Sequence, residues 1–170
     1  AIAEFSTGLT MGDNAERLAK ALGISRQAQD EWAMGSHHRA ARAHADGLLA
    51  DQIAPVSAPP DRAPVVFDNG VRADSSMEKL SSLRPVFDRT FGTVTAGNSS
   101  FLTDGGAACL LMSEARAEEM GVTPLARVVS TALVGLDPVE ELLLGPALAV
   151  PPALDAAGLS LGDIGVWEIH

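Results

Sequence analysis

The segment from Gly92 to Gly106, GTVTAGNSSFLTDGG, gathers four glycines, three threonines, two serines and an asparagine around a single charge. Those residue types suit a ligand-facing loop. Glycine lets backbone approach a bound group closely, and small hydroxyls and free N–H groups are neutral donors to an anionic or carbonyl-bearing ligand. A plain surface or inter-domain loop has the same composition, so the residues alone leave both readings open. The run passes into the apolar stretch Ala107-Ala108-Cys109-Leu110-Leu111-Met112, the order in which α/β enzymes place a polar loop beside a buried element. Cys109 is the only cysteine, and its aliphatic neighbours predict a packed, unreactive thiol.

Three histidines cluster at His37, His38 and His44. His37 and His44 stand seven residues apart and could share a helical face, which invites a metal, but no third ligand of suitable spacing accompanies them. A solvated helix surface accounts for them, and no metal site is expected. There is no Gly-Lys-Ser phosphate loop and no serine-centred nucleophile elbow, so nucleotide and ester hydrolysis lose support. His170 closes the apolar run Ile164–Ile169; a histidine at the end of a buried strand can donate to a developing oxyanion.

The elements that must position these groups are read from periodicity and punctuation. A first helix follows Met11-Gly12, with Asp13 or Asn14 as cap, Ala15, Leu18, Ala19 and Leu22 at helical spacing, and Gly23 as stop. Ser25 opens a second, on which Ala28, Trp32, Ala40 and Ala43 face inward, Arg26, Gln29, Asp30, Arg39 and Arg42 stay wet, and Gly47 ends the run. Ile53–Val56 and Val65–Phe67 predict a small hairpin around Pro59-Pro60, closed by Asp68-Asn69-Gly70. Ser76–Leu83 is a brief helix, and Ser113 caps another that ends at Gly121. Ala126–Val134, Gly145–Ala157 and Ile164–Ile169 then read strand, helix, strand, the pattern of a βαβ unit.

Composition bounds the rest. A chain of 170 residues with 46% hydrophobic and 20% charged residues has the balance of a soluble globular protein, and mean hydropathy is +0.15. The formal charge of -10 disfavours nucleic acid, so an anionic ligand needs local positive charge, which Arg72 and Lys79 are placed to give. No run reaches the length of a membrane span and no basic-then-apolar leader opens the sequence. The lone cysteine excludes an intramolecular disulfide and suits a reducing compartment.

The glycine-rich segment closely resembles the signature loop of the thiolase family, and other matches follow in the same order across the chain. Leu83-Arg84-Pro85-Val86-Phe87 precedes it; Leu111-Met112-Ser113-Glu114, Leu144-Gly145-Pro146 and Ala157-Gly158-Leu159 follow it. The terminal Trp167-Glu168-Ile169-His170 is similar to the start of a His-Glu-Ala-Phe motif cut after its first residue. The resemblance implies an α/β fold, part of the five-layer αβαβα thiolase architecture. Residues 1–91 would form the loop domain over the active site, 92–124 the end of the N-terminal core half, and 125–170 the start of the C-terminal core half.

It also implies a chemistry: cleavage of 3-ketoacyl-CoA by CoA to acetyl-CoA and a shortened acyl-CoA in fatty-acid β-oxidation, through a cysteine nucleophile. By position, His170 takes the oxyanion role, Arg72 the nucleotide end of coenzyme A, Ser100 the pantetheine arm and Met11 the acyl or pantetheine channel, with Ser76 and Ala96 in the same pocket. The family's nucleophilic cysteine, activating histidine and second cysteine have no match here, so these residues read as an internal segment, inactive alone. Thr10-Met11-Gly12 stands where many thiolases have His-Met-Gly, and His170 where many have Asn-Glu-Ala-Phe; the two changes occur together in β subunits of fatty-acid oxidation complexes. That points to CoA as substrate with no permanent cofactor, to a homodimer or tetramer, to an α-subunit partner and to a bacterial cytoplasm or mitochondrial matrix. The alternative is a non-catalytic CoA-binding or assembly module.

Overall fold

The structure is a computed structural model that describes residues 3–140 and 142–170. Its order of elements is helix α1 (Met11–Ala21), helix α2 (Arg26–Ala45), strands β1 (Val56–Ser57) and β2 (Pro64–Val65), then helices α3 (Met77–Ser81), α4 (Glu114–Glu119) and α5 (Gly145–Ala157). Residues divide into two compact units: residue 3 with Leu9–Leu102, and Glu4–Gly8 with Thr103–His170. No described helix is long and apolar enough to cross a membrane.

In the first unit, α1 begins earlier than the sequence suggests. Thr10 rather than Asp13 or Asn14 is the cap; its Oγ1 accepts from the Asp13 N–H, and Asp13 Oδ2 accepts from the Thr10 N–H at 2.9 Å. This reciprocal pair satisfies two otherwise orphaned donors. The Thr10 hydroxyl and amide together hold the Asp13 carboxyl below its ordinary pKa. Helix α2 has the expected bounds, since Ser25 Oγ accepts from the Ala28 N–H and Gly47 follows the last turn. Its faces differ from expectation: Trp32 is 76% exposed, whereas Asp30, read as a wet position, is 1% exposed. A paired carboxylate can be buried, and Asp30 is paired with Arg26 at 2.7 Å.

The hairpin forms in shortened shape, with Val56 opposite Val65 and Ser57 opposite Pro64 in antiparallel register. Helix α3 starts at Ser76, whose Oγ accepts from the Lys79 N–H. Around these elements the buried apolar residues are Ala19, Leu80 and Val94, joined by the buried polar residues Asn14, Glu16, Asp30 and Thr95. The interior is therefore small and strongly polar, and hydrogen bonds carry the connections that a larger apolar core would otherwise make.

In the second unit Ser113 caps α4, as expected. Helix α5 runs through Pro151 and Pro152 although each removes a helical donor; it ends at Gly158, whose φ of 67° is a left-handed conformation that favours glycine. The Ser130 hydroxyl donates to the Ala153 carbonyl at 2.7 Å. The two strands expected on either side of α5 are not formed: Ala126–Val134 and Ile164–Ile169 carry no ladder hydrogen bonds. A strand exists only by pairing, and among the described residues these runs have no partner.

Candidate functional site

The first unit contains a cleft of ≈ 370 Å³. Helix α2 contributes His37, the turn before α3 contributes Arg72, Asp74 and Ser75, α3 contributes Lys79 and Leu80, and the glycine-rich loop contributes Ala96, Gly97, Ser99 and Phe101. Gly97 sits close to its neighbours: a Cβ there would stand 2.5 Å from Leu83 Cδ1 and 2.6 Å from Leu80 Cδ2, so both leucine ends would have to shift. Two cations, Arg72 and Lys79, reach the cleft. Lys79 forms an exposed ion pair with Asp74, whose carboxyl the Lys79 hydrogen bond and charge hold below its ordinary pKa. Arg72 Nη1 donates to the Asn69 carbonyl at 3.3 Å. The site thus combines cationic groups, apolar surface and small loop residues, a set suited to a ligand with both phosphate and hydrocarbon parts.

Two buried carboxylates hold the glycine-rich loop. Glu16 accepts from the Thr93 N–H, the Thr93 hydroxyl and the Val94 N–H at 2.8–3.0 Å. Asp30 Oδ1 accepts from Asn98 Nδ2 at 2.9 Å, and the same amide group donates to the Thr93 carbonyl. Asn98 Oδ1 accepts from the Thr95 N–H, Thr95 Oγ1 from the Gly97 N–H, and the Ser99 hydroxyl donates to the Thr95 carbonyl. These amides and hydroxyls, read in the sequence as donors toward a ligand, are mostly turned inward. A loop without helix or strand must satisfy its buried N–H groups with side chains; Glu16 and Asn98 take those of Thr93, Val94 and Thr95, and Asp30 anchors Asn98.

Comparison with known proteins agrees with this architecture. Residues 1–115 match the model of the thiolase N-terminal domain and residues 122–170 that of the thiolase C-terminal domain. The chain belongs to the thiolase family. It is 49% identical over all 170 residues to a 3-ketoacyl-CoA thiolase of Citrobacter koseri and 48% identical to one of Escherichia coli O1:K1. The chain spans 39% of the length of those curated relatives. It is also similar to solved structures: a Bacillus anthracis acetyl-CoA acetyltransferase (TM-score 0.89, 41% identity) and a human mitochondrial 3-ketoacyl-CoA thiolase in complex with CoA (TM-score 0.88, 36% identity). Each likeness covers 96% of this chain, and 42% and 40% of the respective structures. The fold is accordingly part of the α/β thiolase architecture.

Arg72 and Ala96 line the same cleft. Ser76 stands at the cap of α3, next to the lining residue Ser75, and Ser100 is exposed between the lining residues Ser99 and Phe101. Met11 is the first residue of α1, half exposed, and does not line the cleft. His170 lies in the second unit and is exposed; the buried strand expected to carry it is absent, with Val166 and Ile169 also exposed. Cys109 is exposed too, a correction to the packed thiol read from its neighbours, because residues 101–113 have no strand pairing to cover them.

Glu16 was not singled out in the sequence, and Asp30 was read as a wet position. The available signal was the spacing of Arg26 and Asp30, one helical turn apart, which suits an ion pair. His37 and His44 do not share a site: His37 lines the cleft, whereas the His44 ring meets Phe67 edge-on with centroids 6.4 Å apart. Among the described residues no group of three His, Cys, Asp or Glu side chains is placed to hold a metal.

Proposed function

We propose that these residues are part of a 3-ketoacyl-CoA thiolase that cleaves 3-ketoacyl-CoA with CoA to acetyl-CoA and a shortened acyl-CoA in fatty-acid β-oxidation. The observation that carries this reading is 49% identity over all 170 residues to a protein of that name. Coenzyme A is a substrate in this reading, and no permanent cofactor takes part. Residues 1–91 serve as the loop domain, 92–124 as the end of one core half and 125–170 as the start of the other. Arg72 holds the nucleotide end of CoA, Ser100 the pantetheine arm and Met11 the acyl or pantetheine channel, with Ser76 and Ala96 alongside. The cleft that joins Arg72 and Ala96 supports this grouping.

In the reaction a cysteine thiolate supplied by the rest of such an enzyme attacks the ketone carbonyl, the bond to the acetyl-CoA carbon breaks, and a second CoA takes up the acyl group. His170 donates a hydrogen bond to the enolate oxygen that develops as that bond breaks. The 170 residues alone carry out no turnover. Further proposals are a homodimer or tetramer, an α-subunit partner and a bacterial cytoplasmic or mitochondrial-matrix location.

The test is thiolysis by a complete protein that carries these residues, read as acetyl-CoA formed from a 3-ketoacyl-CoA. Turnover that His170→Ala lowers by about a hundredfold or more, the scale of one oxyanion donor, supports the reading. CoA binding without turnover would instead favour a non-catalytic CoA-binding module.

A further inference from the structure

The two neighbouring histidines of α2 hold the turn before α3 in chemically opposite ways. The Arg72 backbone N–H donates to His37 Nδ1 at 3.2 Å. A backbone amide can only donate, so Nδ1 must present a lone pair. His38 Nε2 meets the Ser75 carbonyl oxygen at 2.9 Å. A carbonyl can only accept, so this Nε2 must carry hydrogen, which a neutral ring and a protonated ring both supply. One contact requires an unprotonated nitrogen, and the other survives protonation.

We propose that His37 is a positioning residue for the cleft: its unprotonated Nδ1 fixes the backbone of Arg72, so protonation of the ring frees Arg72 and weakens binding of a coenzyme A-type anion. The inference rests on the reading of the cleft as a coenzyme A site. His38 keeps Ser75 in place in either state, which makes Arg72 rather than the whole turn the element that responds.

The charge on a protonated ring would by itself attract an anion, so a loss of affinity at low pH reads the freed Arg72 rather than the field of the cleft. The turn presents Arg72 and Asp74, α3 presents Lys79, and the glycine-rich loop presents only uncharged Ala96, Gly97, Ser99 and Phe101; α2 itself adds His38. Asp74 is already paired with Lys79, whose Nζ also donates to the Asp74 carbonyl at 2.9 Å. Among the described residues Arg72 makes no ion pair within 4 Å; its guanidinium donates to the Asn69 carbonyl, and its charge also helps to lower Asp74. A protonated His37 would set N–H against N–H at Arg72, which breaks the one contact between that ring and the turn.

Amide exchange at Arg72 in a labelled complete protein that carries these residues, corrected for intrinsic rates, tests this between about pH 5 and 8, where imidazoles change charge. Calorimetric titration with CoA is run at each pH. The expected result is Arg72 protection that falls about tenfold toward low pH, with CoA affinity falling in step. His37→Asn, whose Oδ1 replaces Nδ1 as acceptor without titrating, keeps protection at all pH values; His37→Ala lacks it throughout; His38→Asn retains the pH dependence. Protection independent of pH in the parent, or unchanged by His37→Ala, overturns the proposal, as does tighter CoA binding at low pH. Arg72 protection decides the histidine's role even where CoA binds to no variant, and that result alone would sink the ligand reading.

Discussion

Asp30 and Asn98, far apart in sequence, are joined by a single hydrogen bond of 2.9 Å that ties helix α2 to the glycine-rich loop. The same carboxylate holds Arg26 at 2.7 Å, and Arg26 Nη2 donates to the carbonyls of Leu80 and Leu83. One acid on α2 therefore fixes both the loop and the end of α3, the two walls between which the cleft opens. Asp30 is 1% exposed, so removing it takes one acceptor each from Arg26 and Asn98 and leaves them only their carbonyl partners.

Asp30→Ala is expected to destabilise the first unit by about 2 kcal/mol, below the usual cost of breaking a fully buried pair because Arg26 keeps some solvent. Urea unfolding followed by ellipticity at 222 nm reads it. Asn98→Asp, which sets a carboxylate against a carboxylate, is expected to cost at least as much. Equal stability of both variants and the parent would remove the network from any account of the loop.

Glu16 gives a second, separate handle on the loop. Its carboxylate takes two backbone N–H groups and one hydroxyl, and Glu16→Gln leaves one acceptor oxygen for three donors. The Thr93 and Val94 amides should then exchange about tenfold faster, the equivalent of one lost charge-assisted bond. An unchanged exchange rate at both amides is the result that would refute this role.

Low pH acts on other carboxyls, of which Asp13 and Asp88 belong to α1 and its tie to the start of the glycine-rich loop. The Lys20 hydrogen bond, with the Phe91 and Thr90 amides, lowers Asp88 to about 2, and the Thr10 cap lowers Asp13 from 3.8. A depressed folded-state pKa contributes stability that is fully present above the unfolded value of 3.8 and lost as pH falls through the folded value. Helical ellipticity at 222 nm should therefore stay level above about pH 5 and decline from about 4 to 2. Asp13→Asn with Asp88→Asn should flatten that decline; an acid transition of the same depth in the double variant contradicts the assignment.

How much of this was legible in the sequence depends on how local the cause was. Ser25, Ser76 and Ser113 announce helix starts because a cap is a contact within three residues, and Gly47 announces a stop for the same reason. Ala126–Val134 and Ile164–Ile169 have strand composition but no strand, since pairing is a property of neighbours rather than of the run itself. Arg72 and Ala96 could be placed together by resemblance, whereas the burial of Asp30 and Glu16 could not be read: an acidic side chain on a helix looks wet until its tertiary partners are known. His37 was visible as a residue and invisible as a contact, because its partner is a backbone amide, which every residue but proline has.

Gly97 offers a prediction that isolates the cleft from the fold. A methyl at Gly97 would collide with the ends of Leu80 and Leu83, and those ends can move only by giving up contacts around buried Leu80. Gly97→Ala should cost about 1–2 kcal/mol by overpacking and narrow the cleft where the loop meets α3. CoA affinity measured by calorimetry should fall, while the Glu16 hydrogen bonds, which lie on the other side of Thr95 in sequence, keep Thr93 and Val94 protected from exchange. Lost affinity with intact protection at those amides locates ligand binding in the cleft. Unchanged affinity with the same modest destabilisation would place the ligand elsewhere, even with Arg72 and Ala96 on the cleft wall.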